Sequence, residues 1–353
     1  MKAIVAMSGG IDSSAAALFL KRSGFEVIGI TFMLWDQRGQ SQKNVCCSLE
    51  GAQDARRVCD VLGIEHIALD VRQAFADDVI KKFCDSYAMG LTPNPCIFCN
   101  QYIKFNVLLD QAKELGAEKV ATGHYARIGY IRGRYQLMRA IDLLKDQSYV
   151  LYVLSKDTLS KIDFPIGGYK KEEIRQIARE TELVNAHKPE SQDICFVGQG
   201  YYADFIAQLY PQAALPGPIV DEEGNEIGEH KGIIYYTIGQ RKGLNIPKKD
   251  PLYVLAINIK DNQIVVGIKE RAFKKKVWVK ELNWLSAPPF NQGIETMVKI
   301  RSTMEPVPSM IFLEPQGMVR IVFNKPQWAP APGQSAVFYI NDVVIGGGKI
   351  AAK

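Results

Sequence analysis

The sequence contains no apolar run approaching the roughly 20 residues that a membrane-spanning helix requires. Its opening stretch, MKAIVAMSGG, has too short an apolar segment for a secretion signal and runs directly into two glycines. Internal repeats and low-complexity tracts are also absent. These absences predict a cytoplasmic protein with no membrane partner.

Cysteine is missing after residue 195, and the total of seven is odd. Such a distribution does not suit the disulfide framework of a secreted protein, and it favours reduced thiols with a chemical or metal-binding role. Cys59 and Cys84 lie in helix-like segments and are interpreted as small core residues. The net charge of +5 is a mild excess, which permits a polyanionic partner without demonstrating one.

A length of 353 residues favours two or three domains over one. In the first part of the chain, short apolar runs alternate with helical patterns. The predicted strands are 2–7, 26–32, 64–70 and 119–122, and the predicted helices are 12–23, 49–62, 74–88 and 102–115. This alternation predicts an α/β fold with a doubly wound parallel sheet, on which ligands bind beyond the carboxyl ends of the strands.

After about residue 200, short strand-like runs separated by glycine, proline and asparagine replace the helical patterns. Turns are predicted at 223–225 and 261–262, between the strands of two hairpins. The sequence therefore predicts three domains: an α/β domain at 1–200, a small β-rich central domain at 201–275, and a C-terminal β-barrel at 276–353.

The stretch AMSGGIDSS follows the first predicted strand and lacks the Gly-Lys-Ser/Thr ending of a Walker A loop. Gly9 and Gly10 allow positive φ and a close approach of backbone N–H groups to an anion. The serines add hydroxyl donors, and the following helix directs its positive end to the same place. Asp12 would be repelled by phosphate unless it holds a bridging Mg²⁺. These parts favour a pyrophosphate site over a merely capped helix start.

The stretch TPNPCIFCN carries a Cys-x-x-Cys pair, Cys96 and Cys99, and a helix is predicted to begin at about Cys99. A helix N-terminus and nearby Lys104 would lower the pKa of a thiol there. Cys195, in SQDICF, is a third thiol of interest. A structural zinc site would need a second pair with suitable spacing, and none follows. Buried inert cysteines remain an alternative, but redox or sulfur chemistry is the favoured interpretation.

The motif SGGxDS resembles that of the PP-loop ATP pyrophosphatases, which cleave ATP between its α- and β-phosphates. A closer resemblance spans nearly the whole chain and involves the tRNA-specific 2-thiouridylase (MnmA) family. It rests on several separate strings in the same order: MSGGIDSS, LTPNPCIFCNQYIKF, VATGHYAR, LLKDQSYVLY, ESQDICFVG, YTIGQRKGL, and PGQSAVFY followed by GGG.

The resemblance implies an enzyme that places sulfur on C2 of the wobble uridine of the tRNAs for Lys, Glu and Gln. ATP with Mg²⁺ would adenylate the uracil oxygen. Cys195 would carry a persulfide supplied by a sulfur carrier or a cysteine desulfurase. Cys99 would act as the nucleophile, and a disulfide between the two cysteines would remain.

The resemblance also implies binding residues, and it gives the C-terminal barrel a contact with tRNA. The predicted ATP contacts are Ala6, Met7, Ser8, Gly9, Gly10, Ile11, Asp12, Ser13, Met33 and Gly123. The predicted contacts with tRNA or the target base are Asn94, Pro95, Cys96, His124, Lys145, Asp146, Gln147, Arg301, Ser302 and Gln334. For His124, a structural role at the end of a strand is an alternative.

The sequence departs from the family pattern at Cys96, where many members have aspartate, and in the adjacent pair Cys46-Cys47. Cys96, Cys99 and Cys195 could instead ligate a 4Fe–4S cluster, which would make the protein a cluster-dependent tRNA thiolase. Two further interpretations are a different PP-loop ligase and a non-catalytic RNA-binding or iron–sulfur scaffold. The persulfide route is the favoured hypothesis.

Overall fold

The structure is a computed structural model, and it describes residues 1–34, 49–188, 194–197, 202–286 and 293–352. The pair Cys46-Cys47 lies outside the described residues. Three sheets follow one another along the chain: a parallel sheet flanked by helices, a small four-stranded sheet, and a β-barrel. The predicted fold class is confirmed.

The first sheet has five parallel strands in the order β3-β2-β1-β4-β7. Both faces of its central strand are buried, since Ile4 packs into one hydrophobic cluster and Ala3 and Val5 pack into another. A strand buried on both faces is the signature of a sheet covered by helices on two sides. The strands are β1 (Lys2–Ala6), β2 (Glu26–Met33), β3 (Glu65–Asp70), β4 (Lys119–Ala121) and β7 (Ile162–Asp163).

Helices cover this sheet and continue beyond it. The described helices are α1 (Ile11–Arg22), α2 (Leu49–Leu62), α3 (Arg72–Phe75), α4 (Lys82–Ala88), α5 (Pro95–Phe98), α6 (Phe105–Glu114), α7 (Ser148–Leu151), α8 (Lys171–Glu180) and α9 (Tyr202–Leu209). None of them is long and apolar enough to cross a membrane. Two π-helical segments, Ala76–Lys81 and Cys99–Lys104, join α3 to α4 and α5 to α6.

The helix that carries the Cys-x-x-Cys pair begins at Pro95, so the prediction that it begins at about Cys99 was wrong. Asn94 is the N-cap, and its side-chain oxygen accepts a hydrogen bond from the Cys96 N–H at 3.0 Å. Proline at the first helical position fixes a helical φ and needs no N–H partner. Cys96 therefore lies in the first turn, and Cys99 lies one turn further along.

The central part forms a four-stranded sheet in the order β10-β11-β8-β9. Its inner face carries a small cluster centred on Ile219, Val254 and Ile264, all fully buried. The predicted turns fall between the paired strands. The strands are β8 (Gly217–Val220), β9 (Glu226–His230), β10 (Tyr253–Asn258) and β11 (Gln263–Gly267).

Six antiparallel strands close the C-terminal barrel in the order β12-β15-β14-β13-β16-β17, with β17 pairing back to β12. A hairpin from the first part of the chain, β5 (Ala126–Ile131) and β6 (Arg134–Arg139), attaches to this sheet through the pair Met138 and Val343. The barrel strands are β12 (Phe273–Trp284), β13 (Ile294–Lys299), β14 (Val307–Leu313), β15 (Val319–Trp328), β16 (Ser335–Ile340) and β17 (Val343–Ile350).

The barrel and the α/β part share a buried core. Tyr149 donates its hydroxyl to the Ser335 carbonyl at 2.8 Å, and the Tyr152 and Ser335 hydroxyls lie 2.9 Å apart. Val337 and Tyr339 belong to the same hydrophobic cluster as the residues beneath the first sheet. Because buried hydroxyls need partners, these contacts fix the barrel in one position against the α/β part.

Phe323→Ala should lower the free energy of unfolding of the barrel by about 3–5 kcal/mol, since it opens a cavity in a core that the barrel cannot refill. The Phe323 side chain is fully buried in the barrel interior. Urea unfolding followed by tryptophan fluorescence measures this, because Trp278, Trp284 and Trp328 lie on barrel strands. Leu313→Ala, at an exposed position of the same barrel, is the matched control and should change little. An equal loss in both variants would contradict the prediction.

Candidate active site

The loop between β1 and α1 is held in shape by its own serines. The Ser13 hydroxyl donates to the Gly10 carbonyl at 2.9 Å and accepts from the Ser8 N–H at 3.2 Å. The Ser14 hydroxyl also donates to the Gly10 carbonyl, at 3.0 Å. From the turns that follow α8, the Asn185 amide donates to the Gly9 carbonyl at 3.0 Å. Carbonyls are thus tied back, which leaves the amino end of α1 as the electropositive side of the loop.

Two glycines permit close approaches that a side chain would block. Gly9 has φ of +72°, and a Cβ built there would lie 2.2 Å from the Gly51 carbonyl oxygen on α2. At Gly123, just after β4, a Cβ would lie 2.6 Å from the Asp12 carbonyl carbon and the Ser13 nitrogen. The loop is therefore packed between neighbouring elements with room only for backbone. Such a cradle of backbone groups at a helix N-terminus fits a phosphate or pyrophosphate group.

The Asp12 carboxylate is neutralised by a lysine from a distant helix. The Lys171 ammonium donates to both carboxylate oxygens, at 2.7 and 2.8 Å, and is almost completely buried. The Tyr125 hydroxyl donates to the same carboxylate at 2.9 Å. The carboxylate was predicted to hold Mg²⁺, whereas the structure gives it an ammonium partner. This ion pair lowers the repulsion that a lone carboxylate would exert on an anion bound at the loop.

The other predicted nucleotide contacts lie around this loop. Met33 ends β2 and Gly123 follows β4, the two strands that flank β1. Since the carboxyl ends of parallel strands share one edge of the sheet, both residues lie beside the 6–13 loop. The Asn185 side-chain oxygen is buried and accepts no hydrogen bond from any described residue. The loop, its glycine cradle and this acceptor fit a polar ligand.

The two thiols of interest in sulfur chemistry belong to one hydrophobic cluster. Cys99 is buried in it, and Cys195 is partly buried and packs against it. Phe196, next to Cys195, anchors its segment by packing edge-on against Phe75 and Phe83. Cys96 is exposed. The remaining described thiols, Cys59 and Cys84, are fully buried, and burial raises the pKa of each to about 12, which fits their predicted role in the core.

The barrel reaches the loop that precedes the Cys-x-x-Cys helix. The Gln334 amide donates to the Thr92 carbonyl at 2.9 Å, and the Thr92 N–H donates to the Pro332 carbonyl at 2.8 Å. On the other side, the Asn100 amide donates to the Val150 carbonyl at 3.0 Å. The structure thus brings three predicted contact segments, 94–96, 145–147 and 334, into one region.

His124 lies in the interior between the rings of Phe105 and Phe164, with centroids 6.1 Å away in each case. The Thr122 hydroxyl lies 2.7 Å from its Nδ1. Burial, followed by the charge of Lys104, lowers the pKa of His124 well below its usual value of 6.5. These contacts favour the structural alternative for this histidine.

The remaining predicted tRNA contacts differ in exposure. The Asp146 carboxylate is fully buried and accepts from the Ala140 N–H at 3.0 Å and from the Ser148 hydroxyl at 2.8 Å. Arg301 is partly buried and donates to the Ala329 carbonyl at 2.7 Å. By contrast, Gln147 and Ser302 are exposed, and Lys145 is partly exposed.

The described residues do not fit an iron–sulfur cluster. Among residues 1–34, 49–188, 194–197, 202–286 and 293–352, no three His, Cys, Asp or Glu side chains come close enough together to hold a metal ion. Cys96, Cys99 and Cys195 are therefore not arranged as a ligand set. No chemical step is derived through such a cluster.

Three family models match the chain in succession. They are described as a tRNA methyl transferase HUP domain (residues 1–199), a tRNA methyl transferase PRC-barrel domain (203–268) and an aminomethyltransferase β-barrel domain (274–350). The tRNA-specific 2-thiouridylase MnmA of Chloroflexus aggregans is 45% identical over 99% of this chain and 98% of its own length. The chain belongs to the MnmA family. Its namesake in Clostridium beijerinckii is 43% identical over 99% of this chain and 98% of its own length.

Among solved structures, a 4-thiouridine synthetase–RNA complex with bound ATP covers 60% of this chain and 50% of its own. Its sequence identity is 19% and its TM-score 0.38.

The structure places three residues at the 6–13 loop that the sequence analysis did not predict there: Lys171, Asn185 and Tyr125. Lys171 and Asn185 are separated from the loop by some 160 to 180 positions in sequence, and Tyr125 by more than 110. Lys171 lies in the charged run YKKEE, which reads as an exposed helix start. The sequence holds one weak signal for Lys171. It lies three and seven positions before Ile174 and Ala178, so it shares their apolar face of α8, which is expected to turn inward.

Gly9→Ala should weaken binding of pyrophosphate at least about tenfold, because the new Cβ strains a left-handed backbone and displaces the loop from α2. Isothermal titration calorimetry with pyrophosphate measures the effect. Gly24→Ala is the matched control, since Gly24 also has positive φ (+82°) but no atom within 4 Å of the added carbon. Equal affinity of Gly9→Ala and wild type would show that the cradle is not an anion site.

The buried neutral His124 should make stability fall at acid pH. Its folded-state pKa is lowered, so the stability it contributes is present above the unfolded-state value near 6.5 and is lost as the pH falls below that value. Between pH 6.5 and 5.5, His124→Gln should reduce the slope of unfolding free energy against pH by up to about 1.4 kcal/mol per unit. Urea unfolding followed by circular dichroism measures it, with exposed His187→Gln as the control. An unchanged slope in His124→Gln would contradict the burial argument.

Proposed function

We propose that this protein uses ATP to replace an oxygen atom of tRNA with sulfur. The atom is the C2 oxygen of the wobble uridine in the tRNAs for Lys, Glu and Gln. The observation that carries the proposal is the combination, in one MnmA-family chain, of a pyrophosphate cradle and of two cysteines, Cys99 and Cys195, in one hydrophobic cluster. The cradle accounts for ATP cleavage, and the cysteines account for sulfur transfer.

ATP would bind along the carboxyl edge of the first sheet. The 6–13 loop and the amino end of α1 would hold the phosphates, and Met33 and Gly123 would contact the nucleotide. The Lys171 ammonium would offset the Asp12 charge beside the bound phosphates. Mg²⁺ would enter with ATP and neutralise its phosphates. Asp12 would become a Mg²⁺ ligand only by exchanging its lysine partner for the metal.

The uracil C2 carbonyl is unreactive and needs activation. Its oxygen would attack the α-phosphorus of ATP, forming an O-adenylate and releasing pyrophosphate. The Cys99 thiolate would then attack the inner sulfur of the Cys195 persulfide, forming a Cys99–Cys195 disulfide and expelling hydrosulfide. Hydrosulfide would add to C2, and AMP would leave with the original oxygen.

In this scheme the two cysteines are oxidised by two electrons while the outer persulfide sulfur is reduced to sulfide. A thiol reductant must reopen the disulfide before the next turnover. A sulfur carrier or a cysteine desulfurase would supply the next persulfide to Cys195. Burial of Cys99 in the apolar cluster would keep bulk water away from the adenylate, which water would otherwise hydrolyse.

The tRNA would lie across the domains proposed at 1–200, 201–275 and 276–353. The target uridine would enter beside 94–96, as flipped bases do in other base-modifying enzymes. Lys145, Gln147, Arg301, Ser302 and Gln334 would contact the RNA around it. Asp146 and His124 would support these contacts from the interior, since their side chains are buried.

The decisive experiment uses protein purified without air and incubated with unmodified tRNA, Mg-ATP and a persulfide donor. Mass spectrometry of 2-thiouridine and the iron content are measured on the same sample. Iron-free protein should thiolate tRNA. Cys99→Ser and Cys195→Ser should each reduce thiolation below about 1% of wild type while still releasing pyrophosphate with tRNA present.

Two further variants sharpen the result. Cys96→Asp replaces a thiol by the carboxylate found in many family members and should still yield 2-thiouridine without iron. Cys59→Ala, at a buried cysteine on α2 outside the site, is the control for loss of a thiol. Thiolation confined to iron-loaded protein and abolished by Cys96→Asp would overturn the persulfide route. No thiolation in either form would overturn the proposed function.

A further inference from the structure

The hairpin formed by β5 and β6 is not accounted for by the chemistry above. Its base is hydrogen-bonded to the segment 145–147, for which the family resemblance implies contact with tRNA. The Gln147 N–H donates to the Tyr125 carbonyl at 2.8 Å, and the Tyr125 N–H donates to the Gln147 side-chain oxygen at 2.8 Å. The Ala140 N–H, at the other end, donates to the Asp146 carboxylate. Both strands therefore leave from one fixed point beside 145–147.

Six residues of each strand carry the hairpin about 20 Å away from this base. At its tip, Tyr130 and Tyr135 are directly opposite each other, with ring centroids 5.0 Å apart. Their exposed fractions are 67% and 42%, whereas Leu137, two positions nearer the base on the same face, is fully buried. The two rings form an apolar, aromatic surface beyond the point where the protein interior ends.

The tip is also positively charged. The stretch from Tyr125 to Ala140 contains four arginines and no acidic residue. The two near the base are paired, Arg127 with Asp342 and Arg139 with Glu305. Those at the tip, Arg132 and Arg134, are exposed and form no ion pair with any residue that the structure describes.

The turn itself holds an arginine in an unfavourable conformation. Arg132 and Gly133 form the two-residue turn, with φ of +51° and +78°. A turn of this kind favours Asn-Gly, and an arginine at its first position carries a steric penalty. Local strain without a packing benefit is typical of a position used for binding. On the Tyr face, the Lys119 ammonium adds a further cation 5.8 Å from the Tyr135 ring.

We propose that the hairpin tip is a second tRNA-binding element, in which Tyr130 and Tyr135 stack on a nucleotide and Arg132 contacts the phosphate backbone, about 20 Å from the 145–147 contact. The proposal rests on the proposed function for the identity of the RNA. Aromatic rings flanked by unpaired cations match a nucleotide, which offers a stacking face and an adjacent negative charge. The hairpin would hold the body of the tRNA while the target uridine enters beside 94–96.

Arg132→Asn gives a sharp test, because it removes the charge and at the same time supplies the residue that the turn prefers. If the arginine had a merely structural role, the variant would bind tRNA as well as wild type. The proposal instead predicts a dissociation constant raised roughly three- to tenfold, with the slope of log affinity against log salt reduced by about one. Fluorescence anisotropy with labelled tRNA at several salt concentrations measures both.

Tyr130→Ala with Tyr135→Ala should raise the dissociation constant for tRNA at least about fivefold, through loss of stacking. The KM for tRNA in the thiolation assay should rise in parallel, with kcat unchanged. Lys113→Asn, which removes an exposed cation on α6, is the matched control for Arg132→Asn and should bind tRNA like wild type. Circular dichroism and thermal unfolding check that the variants are folded.

The outcomes separate this proposal from the proposed function. Unchanged tRNA affinity in both hairpin variants, with wild type thiolating normally, overturns the hairpin proposal alone. The hairpin variants could instead keep their tRNA affinity and lose turnover only when a protein supplies the sulfur. That result overturns the hairpin proposal and indicates that the tip binds a protein partner. If the hairpin variants bind tRNA weakly and the wild-type protein does not thiolate it, the hairpin proposal is supported and the proposed function is overturned. Wild-type protein that does not bind tRNA overturns both.

Discussion

The ion pair between Asp12 and Lys171 is the interaction on which the proposed ATP-binding end of the molecule depends. It places a carboxylate inside a loop shaped for an anion and cancels its charge with an ammonium from α8. The lysine is almost fully buried, so removing the Asp12 carboxylate would leave an uncompensated ammonium where solvent screens it poorly. The same contact ties the last helix of the α/β part to the first, with Tyr125 from the base of the β5–β6 hairpin as a third member.

The end of the molecule proposed to carry out sulfur transfer depends on a different kind of support. Cys99 lies in a π-helical segment that continues a helix capped by Asn94, and it faces the shared hydrophobic cluster. The barrel touches the preceding loop through Gln334 and Thr92. An insertion of one residue in a helix rotates the side chains that follow, which is why π-helical segments recur at functional positions.

The sequence predicted the α/β fold class, the barrel and the glycine-rich loop, because alternating apolar runs and a loop at a strand end are local patterns. It misplaced the start of the Cys-x-x-Cys helix, because two closely spaced prolines, Pro93 and Pro95, suggested a stiff approach, whereas Asn94 and Pro95 form the helix cap. Lys171 and Asn185 could not be assigned to the glycine-rich loop, since their partners lie more than 150 positions away. The attachment of the β5–β6 hairpin to the barrel was likewise beyond reach, because strand pairing between distant segments leaves no periodic signal.

The contact between the Tyr149 hydroxyl and the Ser335 carbonyl spans 186 positions of the chain. At a synthesis rate of about 5–20 residues per second, Tyr149 is added to the chain some 10–40 s before Ser335 is. During that interval the nascent α/β part holds an apolar surface, with Tyr149 and Tyr152, that has no barrel to cover it. The newly made chain is therefore most vulnerable to aggregation late in its synthesis, and a folding helper that shields this one surface would act on it then.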